Sequence, residues 1–171
     1  DWLWRHAARD PARAHAFLRG EASHEEEPVS YGRLRDEAAA VAGGLRERGV
    51  SRGDTVALML PTGLDFLRSF RGILLARAVP VPIYPPVRLD RLEEYAARQS
   101  AILKDAGVRL LVTIPRARPV ASLLRPAVPA LADVVTADEL SSDGTPSSGP
   151  EGDGADPAFI QYTSGSTGQP K

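Results

Sequence analysis

Cysteine is absent from the 171 residues, which excludes thiolate zinc sites, cysteine nucleophiles and redox pairs. The three histidines, His6, His15 and His24, stand at no metal-ligand spacing. Neither sign of charge is in excess: 21 basic and 22 acidic residues give a net charge of -1, which argues against nucleic acid as a partner and against a polybasic membrane patch. Lysine is scarce, with only Lys104 and Lys171 beside the arginines, which are scattered rather than gathered into a site. No apolar run approaches the roughly 18 residues of a membrane span, and no signal-peptide h-region follows Asp1. A cytoplasmic location is the default expectation. A chain of this length buries about 70% of its unfolded surface and needs no staples. It opens on Asp1 without a methionine and stops at Lys171 directly after a Gly/Ser/Thr-rich string, so it is expected to be a piece of a longer polypeptide.

What is present is an alternation of short elements. Residues 2 to 9 suit a helix that stops before Pro11, packed by Trp2 and Trp4, and His15 to Arg19 suits a strand entering a turn at Gly20. His6 and His15 are expected to be partly exposed and His24 to sit in a loop. Glu25, Glu26 and Glu27 read as a solvated loop. Ser30 is an N-cap for a helix with Leu34, Ala38, Val41, Ala42 and Leu45 on one face, ended by Gly49. Gly43 and Gly44 weaken that helix by up to about 1 kcal/mol each relative to alanine. Thr55 to Leu60 is a near-continuous apolar run, the pattern of a strand buried on both faces, and Pro61 ends it. Leu67, Phe70, Leu74 and Ala78 keep helical spacing through a helix from about Leu64 to Arg77. Pro80 to Ile83 is strand-like, and its prolines make it short or an edge. Asp90 can cap a helix carrying Leu92, Tyr95, Ile102 and Leu103, which ends near Gly107. Val108 to Ile114 is another buried-strand pattern, and a helix around Val120 to Leu124, broken by Pro126 and Pro129, leads to a small strand near Val134. Strands that alternate with helices indicate an α/β fold with a largely parallel sheet.

Residues 1 to 140 therefore read as one α/β region. Ser141 to Pro157 contain only Ser, Asp, Gly, Thr, Pro, Glu and Ala, too little apolar surface to offset ordering entropy, so a flexible surface loop is expected there. Order returns over residues 158 to 171, with Phe159, Ile160 and Tyr162 as a last strand. It runs into Tyr162-Thr163-Ser164-Gly165-Ser166-Thr167-Gly168-Gln169-Pro170-Lys171. This composition suits a polyphosphate: the glycines permit close backbone approach, the hydroxyls donate to phosphate oxygens, and the lysine adds a mobile positive charge. A preceding strand puts the string at a strand's carboxyl end, where open α/β sheets bind ligands. It is not a Walker loop, because that template, measured from Gly165, needs glycine at 170 and finds Pro170. On composition alone, a flexible Ser/Gly turn with no ligand remains the plain alternative.

The string resembles the phosphate-binding signature of the adenylate-forming superfamily, which includes acyl-CoA synthetases, luciferase-like enzymes, nonribosomal peptide adenylation domains and fatty acyl-AMP ligases. Ser30-Tyr31-Gly32-Arg33-Leu34 opening a helix, Gly53-Asp54-Thr55-Val56-Ala57 entering a strand, and Pro61 followed by a helix resemble its amino-terminal region. Ala78-Val79-Pro80-Val81-Pro82-Ile83-Tyr84-Pro85-Pro86, with Arg88 to Tyr95, is similar to fatty acyl-AMP ligases in particular, which pass the acyl group to an acyl carrier protein. Two positions depart from the pattern: Arg77 stands where relatives usually have glycine, which would suit a left-handed helix end, and Arg71 where they usually have an apolar residue. The resemblance implies the amino-terminal portion of the adenylate-forming fold and ATP-dependent activation of a fatty acid to an acyl-adenylate, with pyrophosphate as the leaving group. It implies that Thr163, Ser164, Gly165, Ser166, Thr167, Gly168 and Lys171 hold the β- and γ-phosphates, with Thr167 and Lys171 contributing most, and that Mg2+ shares the charge. The catalytic lysine, the magnesium-binding glutamate, the nucleoside contacts and the acyl tunnel are expected downstream of Lys171, so residues 1–171 alone are expected to form no adenylate. An acyl-CoA synthetase with the same first half-reaction is the close alternative. A non-catalytic nucleotide-binding or carrier-docking module is a third reading, and a Walker-type hydrolase a distant fourth.

Overall fold

Ser30 ends one element and starts the next. It closes β2 (Glu26–Ser30), and its side chain caps α2 (Tyr31–Glu47) by accepting the Arg33 N–H at 3.2 Å, satisfying one of the helix's unpaired donors. A computed structural model describes residues 2–19, 26–86, 92–149 and 154–163. Gly20, His24, Glu25 and Asp90, which carried expectations above, lie outside the described residues. Ahead of β2 come α1 (Trp2–Arg9) and β1 (Ala14–Arg19), which pairs with β2 as an antiparallel ribbon. The main sheet is parallel, with β3 (Thr55–Met59), β4 (Val79–Ile83), β5 (Leu110–Thr113) and β6 (Asp133–Thr136) in the order β4-β3-β5-β6. The crossovers contain α3 (Leu64–Leu75), α4 (Leu92–Asp105) and α5 (Arg118–Ser122), and α6 (Ala137–Asp143) follows the last strand.

The period of two along each strand divides the core between two faces. Val56 and Leu58 of β3 join Leu110, Val112 and Val135 beneath α2, α3 and α6, where Val41, Leu45, Ile73 and Leu140 are fully buried. Ala57 and Met59 join Val81, Leu111 and Val134 on the opposite face, beneath Ile102 and Leu103 of α4 and Ala121 of α5. Each fully buried Leu, Ile or Val stabilises the fold by about 2 kcal/mol. Covered on both faces, β3 and β5 needed the near-continuous apolar runs that identified them.

Gly43 and Gly44 have a role that helix propensity does not register. A β-carbon on Gly44 would fall 1.9 Å from the Leu140 carbonyl oxygen, and one on Gly43 2.2 Å from that of Thr145. The backbone of α2 is in direct contact with those of α6 and of the chain leaving it, and Gly72 of α3 makes a similarly close approach to a side chain, with a virtual β-carbon 2.5 Å from Val41 Cγ1.

Several expectations need correction. Glu26 and Glu27 are not loop residues: they lie exposed at the start of β2, opposite Arg19 and Leu18, and pair with Arg19 and Arg33. The composition boundary at Ser141 falls inside α6, and beyond that helix the Ser147 N–H donates to the Ala39 carbonyl at 3.0 Å. The third helix ends at Leu75, two residues before Arg77.

Trp2 does more than pack its own helix. Its ring lies 5.3 Å from that of His15 and 5.9 Å from that of Tyr31, and the Arg71 guanidinium stacks over it at 4.4 Å. Arginine at 71 thus makes a cation–π contact with Trp2. Burial, and then the charge of Arg71, hold the His15 imidazole below its ordinary value of 6.5. The unfolded chain therefore takes up this proton at higher pH than the folded one. His15's contribution to stability is complete above about pH 6.5 and is lost as pH falls toward the lowered value. Arg71→Leu is expected to move the His15 titration upward, as followed by its imidazole proton resonances.

Candidate functional site

The parallel strands end together, with Met59 in register with Ile83 and Thr113, and Thr113 with Thr136. Two hydroxyls at this edge are already engaged. The Thr113 hydroxyl donates to the Met59 carbonyl at 3.2 Å, and that of Thr136 accepts the Glu139 N–H at 3.2 Å in a capping box that opens α6. Past β4, Tyr84 is 79% exposed and its carbonyl accepts the Tyr95 hydroxyl at 2.7 Å. Burial pushes the Tyr95 phenol up from its ordinary value, so it remains a neutral donor across physiological pH.

The segment that leads into the Gly/Ser/Thr string crosses this sheet beside β4. Its base is Asp156, whose Oδ1 accepts Nε and Nη2 of Arg52 at 3.0 and 2.5 Å, and whose Oδ2 accepts Nε and Nη2 of Arg77 at 3.2 Å each. The hydrogen bond and charge of Arg52, then those of Arg77, hold the Asp156 carboxyl below its ordinary range. Arg77 adopts φ 62°, the left-handed conformation that glycine would suit and that costs other residues about 1–2 kcal/mol. Its N–H donates to the Leu74 carbonyl at 3.0 Å and its carbonyl accepts the Gly53 N–H at 2.9 Å, which ties the end of α3 to the turn before β3.

Four residues beyond Asp156, the Ile160 N–H donates to the Pro80 carbonyl at 3.0 Å. Asp156 beside Arg77 and Ile160 beside Pro80 make this segment run in the same sense as β4, toward the strands' carboxyl ends. The last strand expected at Phe159 to Tyr162 is not a ladder strand; the segment is irregular chain joined to the sheet by that backbone bond. Phe159 packs its ring 6.0 Å from Phe70, and the Tyr162 hydroxyl donates to Asp105 Oδ2 at 2.5 Å. Burial and then Asp105 push the Tyr162 phenol up to about 12.

Of the expected phosphate-binding residues, Thr163 is described and is exposed. Ser164, Gly165, Ser166, Thr167, Gly168 and Lys171 lie outside the described residues. Sequence reasoning missed Asp156, which stood inside a supposed loop; its signal was an acidic residue just before the return of apolar residues, with an arginine in a glycine position to meet it. A shallow hollow of about 480 Å³ lies elsewhere, lined by Trp4, Ala8, Arg35, Asp36, Ala39 and residues 146–148. None of these residues belongs to a strand end or to the 154–163 segment.

The model of the AMP-binding enzyme family matches residues 3–171. The chain is 32% identical over 167 residues to tyrocidine synthase 3 of Brevibacillus parabrevis, a match that covers 96% of this chain and 2% of that protein. Among solved structures it resembles the Mycobacterium tuberculosis fatty acyl CoA synthetase, with TM-score 0.78 and 27% identity over 99% of this chain and 32% of that one. It also resembles the fatty acyl-adenylate ligase from L. pneumophila in complex with acyl adenylate and pyrophosphate, with TM-score 0.75 and 27% identity over 99% of this chain and 28% of that one. The chain spans only a part of each of these proteins, from 2% to 32% of their length. Its parallel sheet flanked by helices matches the amino-terminal domain of adenylate-forming enzymes, and the chain belongs to the AMP-binding enzyme family.

Proposed function

We propose that the protein carrying these residues activates a fatty acid to an acyl-adenylate with release of pyrophosphate, then passes the acyl group to an acyl carrier protein. The observation that carries this reading is the string Tyr162 to Lys171, which follows a segment running beside β4 toward the strands' carboxyl ends. The carboxylate oxygen attacks the α-phosphorus of ATP, and the bond to the pyrophosphate oxygen breaks. In this reading the hydroxyls of Thr163, Ser164, Ser166 and Thr167, the N–H groups near Gly165 and Gly168, and the Lys171 ammonium hold the β- and γ-phosphates while charge grows on the leaving group. The string contains no carboxylate, so its donors fit phosphate oxygens rather than a cation. Mg2+ therefore enters as the phosphates' counter-ion. Residues 1–171 by themselves form no adenylate, since the remaining groups of the reaction lie outside them.

The fatty acyl-AMP ligase subtype rests on the Pro80-Val81-Pro82-Ile83-Tyr84-Pro85-Pro86 segment and is supported by the likeness to the L. pneumophila ligase. Transfer to coenzyme A is the second reading, favoured by the TM-score of 0.78 to the M. tuberculosis fatty acyl CoA synthetase. The full-length protein is expected to catalyse fatty-acid-dependent exchange of pyrophosphate into ATP, and to load phosphopantetheinylated carrier protein but not coenzyme A. Acyl-CoA as the product would favour the second reading. Exchange driven by amino acids and not by fatty acids would sink both.

A further inference from the structure

We infer that Asp156 is a positioning residue for nucleotide binding: clasped by Arg52 and Arg77, it holds the following segment in register along β4 and so sets where Thr163 and the string after it begin. This rests on the nucleotide-binding reading above. Among the described residues, Arg77 alone of the non-glycine residues has positive φ. Glycine would meet the backbone requirement at the end of α3 without strain, so the feature that arginine adds is its side chain, and that side chain reaches Asp156.

The clasp is two-sided. Each carboxylate oxygen of Asp156 receives one guanidinium, and the side chain is only 19% exposed between them. Paired guanidinium donors fix a carboxylate's direction as well as its distance. Arg52 precedes β3 and Arg77 precedes β4, and these strands are neighbours, so the fork ties Asp156 to the amino ends of both. From Asp156 the chain passes Ile160, which is held by its bond to Pro80, to Thr163, which is exposed. A shift at the clasp would therefore displace the start of the string. Small misplacements of positioning groups are amplified in binding and reaction.

The test uses the full-length protein, with hydrogen exchange at the Ile160 amide and equilibrium binding of ATP with Mg2+, neither of which requires turnover. Asp156→Asn is expected to speed Ile160 exchange by about tenfold and to weaken ATP binding by about tenfold, with Asp156→Glu restoring part of both. Arg77→Gly removes the backbone strain together with the side chain. Its Tm is expected to stay at or above the wild-type value while ATP binding weakens, a split that a merely structural ion pair would not produce. Unchanged Ile160 exchange in Asp156→Asn, or faster exchange with unaltered ATP affinity, overturns the inference. A wild-type protein that binds no ATP overturns the nucleotide-binding reading and this inference with it, and that outcome is visible before any variant is made.

Discussion

Gly44→Ala is expected to destabilise the fold by about 2 kcal/mol net, the difference between two opposing effects. Alanine gains up to about 1 kcal/mol over glycine inside a helix. Against this, its β-carbon would lie 1.9 Å from the Leu140 carbonyl oxygen, inside any tolerable contact, and the atom in the way is backbone rather than the end of a flexible side chain. Overpacking of this kind costs about 3 kcal/mol. The fold can relieve it only by moving α6, and α6 and the chain that leaves it are held in three ways: Leu140 is fully buried, Arg68 donates to Asp138 and to Ser141, and beyond the helix the Ser147 N–H bonds to Ala39. The same contact also needs Gly144, where a β-carbon would meet the Gly44 nitrogen at 2.5 Å. Thermal unfolding of the full-length protein is the measurement, with Gly63→Ala as control because nothing lies within 4 Å of a β-carbon there. If Gly44→Ala melted with the wild type, α2 and α6 would not be in backbone contact at Leu140.

Lys171→Ala in the full-length protein is expected to lower kcat/KM for adenylate formation by roughly 10²–10³-fold, about 3–4 kcal/mol of transition-state stabilisation. The reasoning follows the charge. As pyrophosphate departs, negative charge accumulates on its oxygens, and the hydroxyls of the string donate to them without neutralising it. The lysine ammonium is the string's only full positive charge. Thr167→Ala removes one neutral donor and is expected to lose about tenfold, by comparison with the stronger charge-assisted contact. Lys171→Arg should recover only part of the rate, because a planar fork does not reproduce a compact ammonium. The other lysine, Lys104, is exposed in the last turn of α4 and serves as the control. Pyrophosphate exchange at varied ATP concentration separates affinity from rate, and a loss smaller than about threefold would remove Lys171 from the phosphate-binding set.

Where one physical signal dominated, the sequence was enough. Ser30 announced its helix because hydroxyl caps are preferred there, the apolar runs of β3 and β5 followed from burial on both faces, and the prolines of β4 marked an edge. Other elements were hidden because their causes are distant in sequence. Glu26 and Glu27 are strand residues only because β1 lies beside them, and their exposed face looks like a solvated run. Gly43 and Gly44 looked like weaknesses because propensity counts what glycine loses and is blind to a helix lying against it. The start of α6 was legible in the Thr136 and Glu139 pair, a capping-box spacing, but the polar composition after Ser141 overrode it. Asp156 became visible only when Arg52 and Arg77, far apart in the chain, met at its carboxylate.

The placement of the prolines in β4 bears on how the protein avoids its own kind. Along a strand, successive residues turn their backbone groups to opposite edges. Val79 donates its N–H toward β3, through the Asp54 carbonyl, whereas the Pro80 carbonyl faces away and accepts Ile160. Pro80 and Pro82 therefore fall at outward-facing positions, where a missing N–H costs the β3–β4 ladder nothing. The outer rim of β4 offers acceptors at those positions and no donors. A foreign strand seeking reciprocal bonds finds half of them missing, while a segment that needs only to donate is accommodated. One pair of residues thus keeps this margin of the sheet open to the chain's own 154–163 segment and closed to edge-to-edge aggregation.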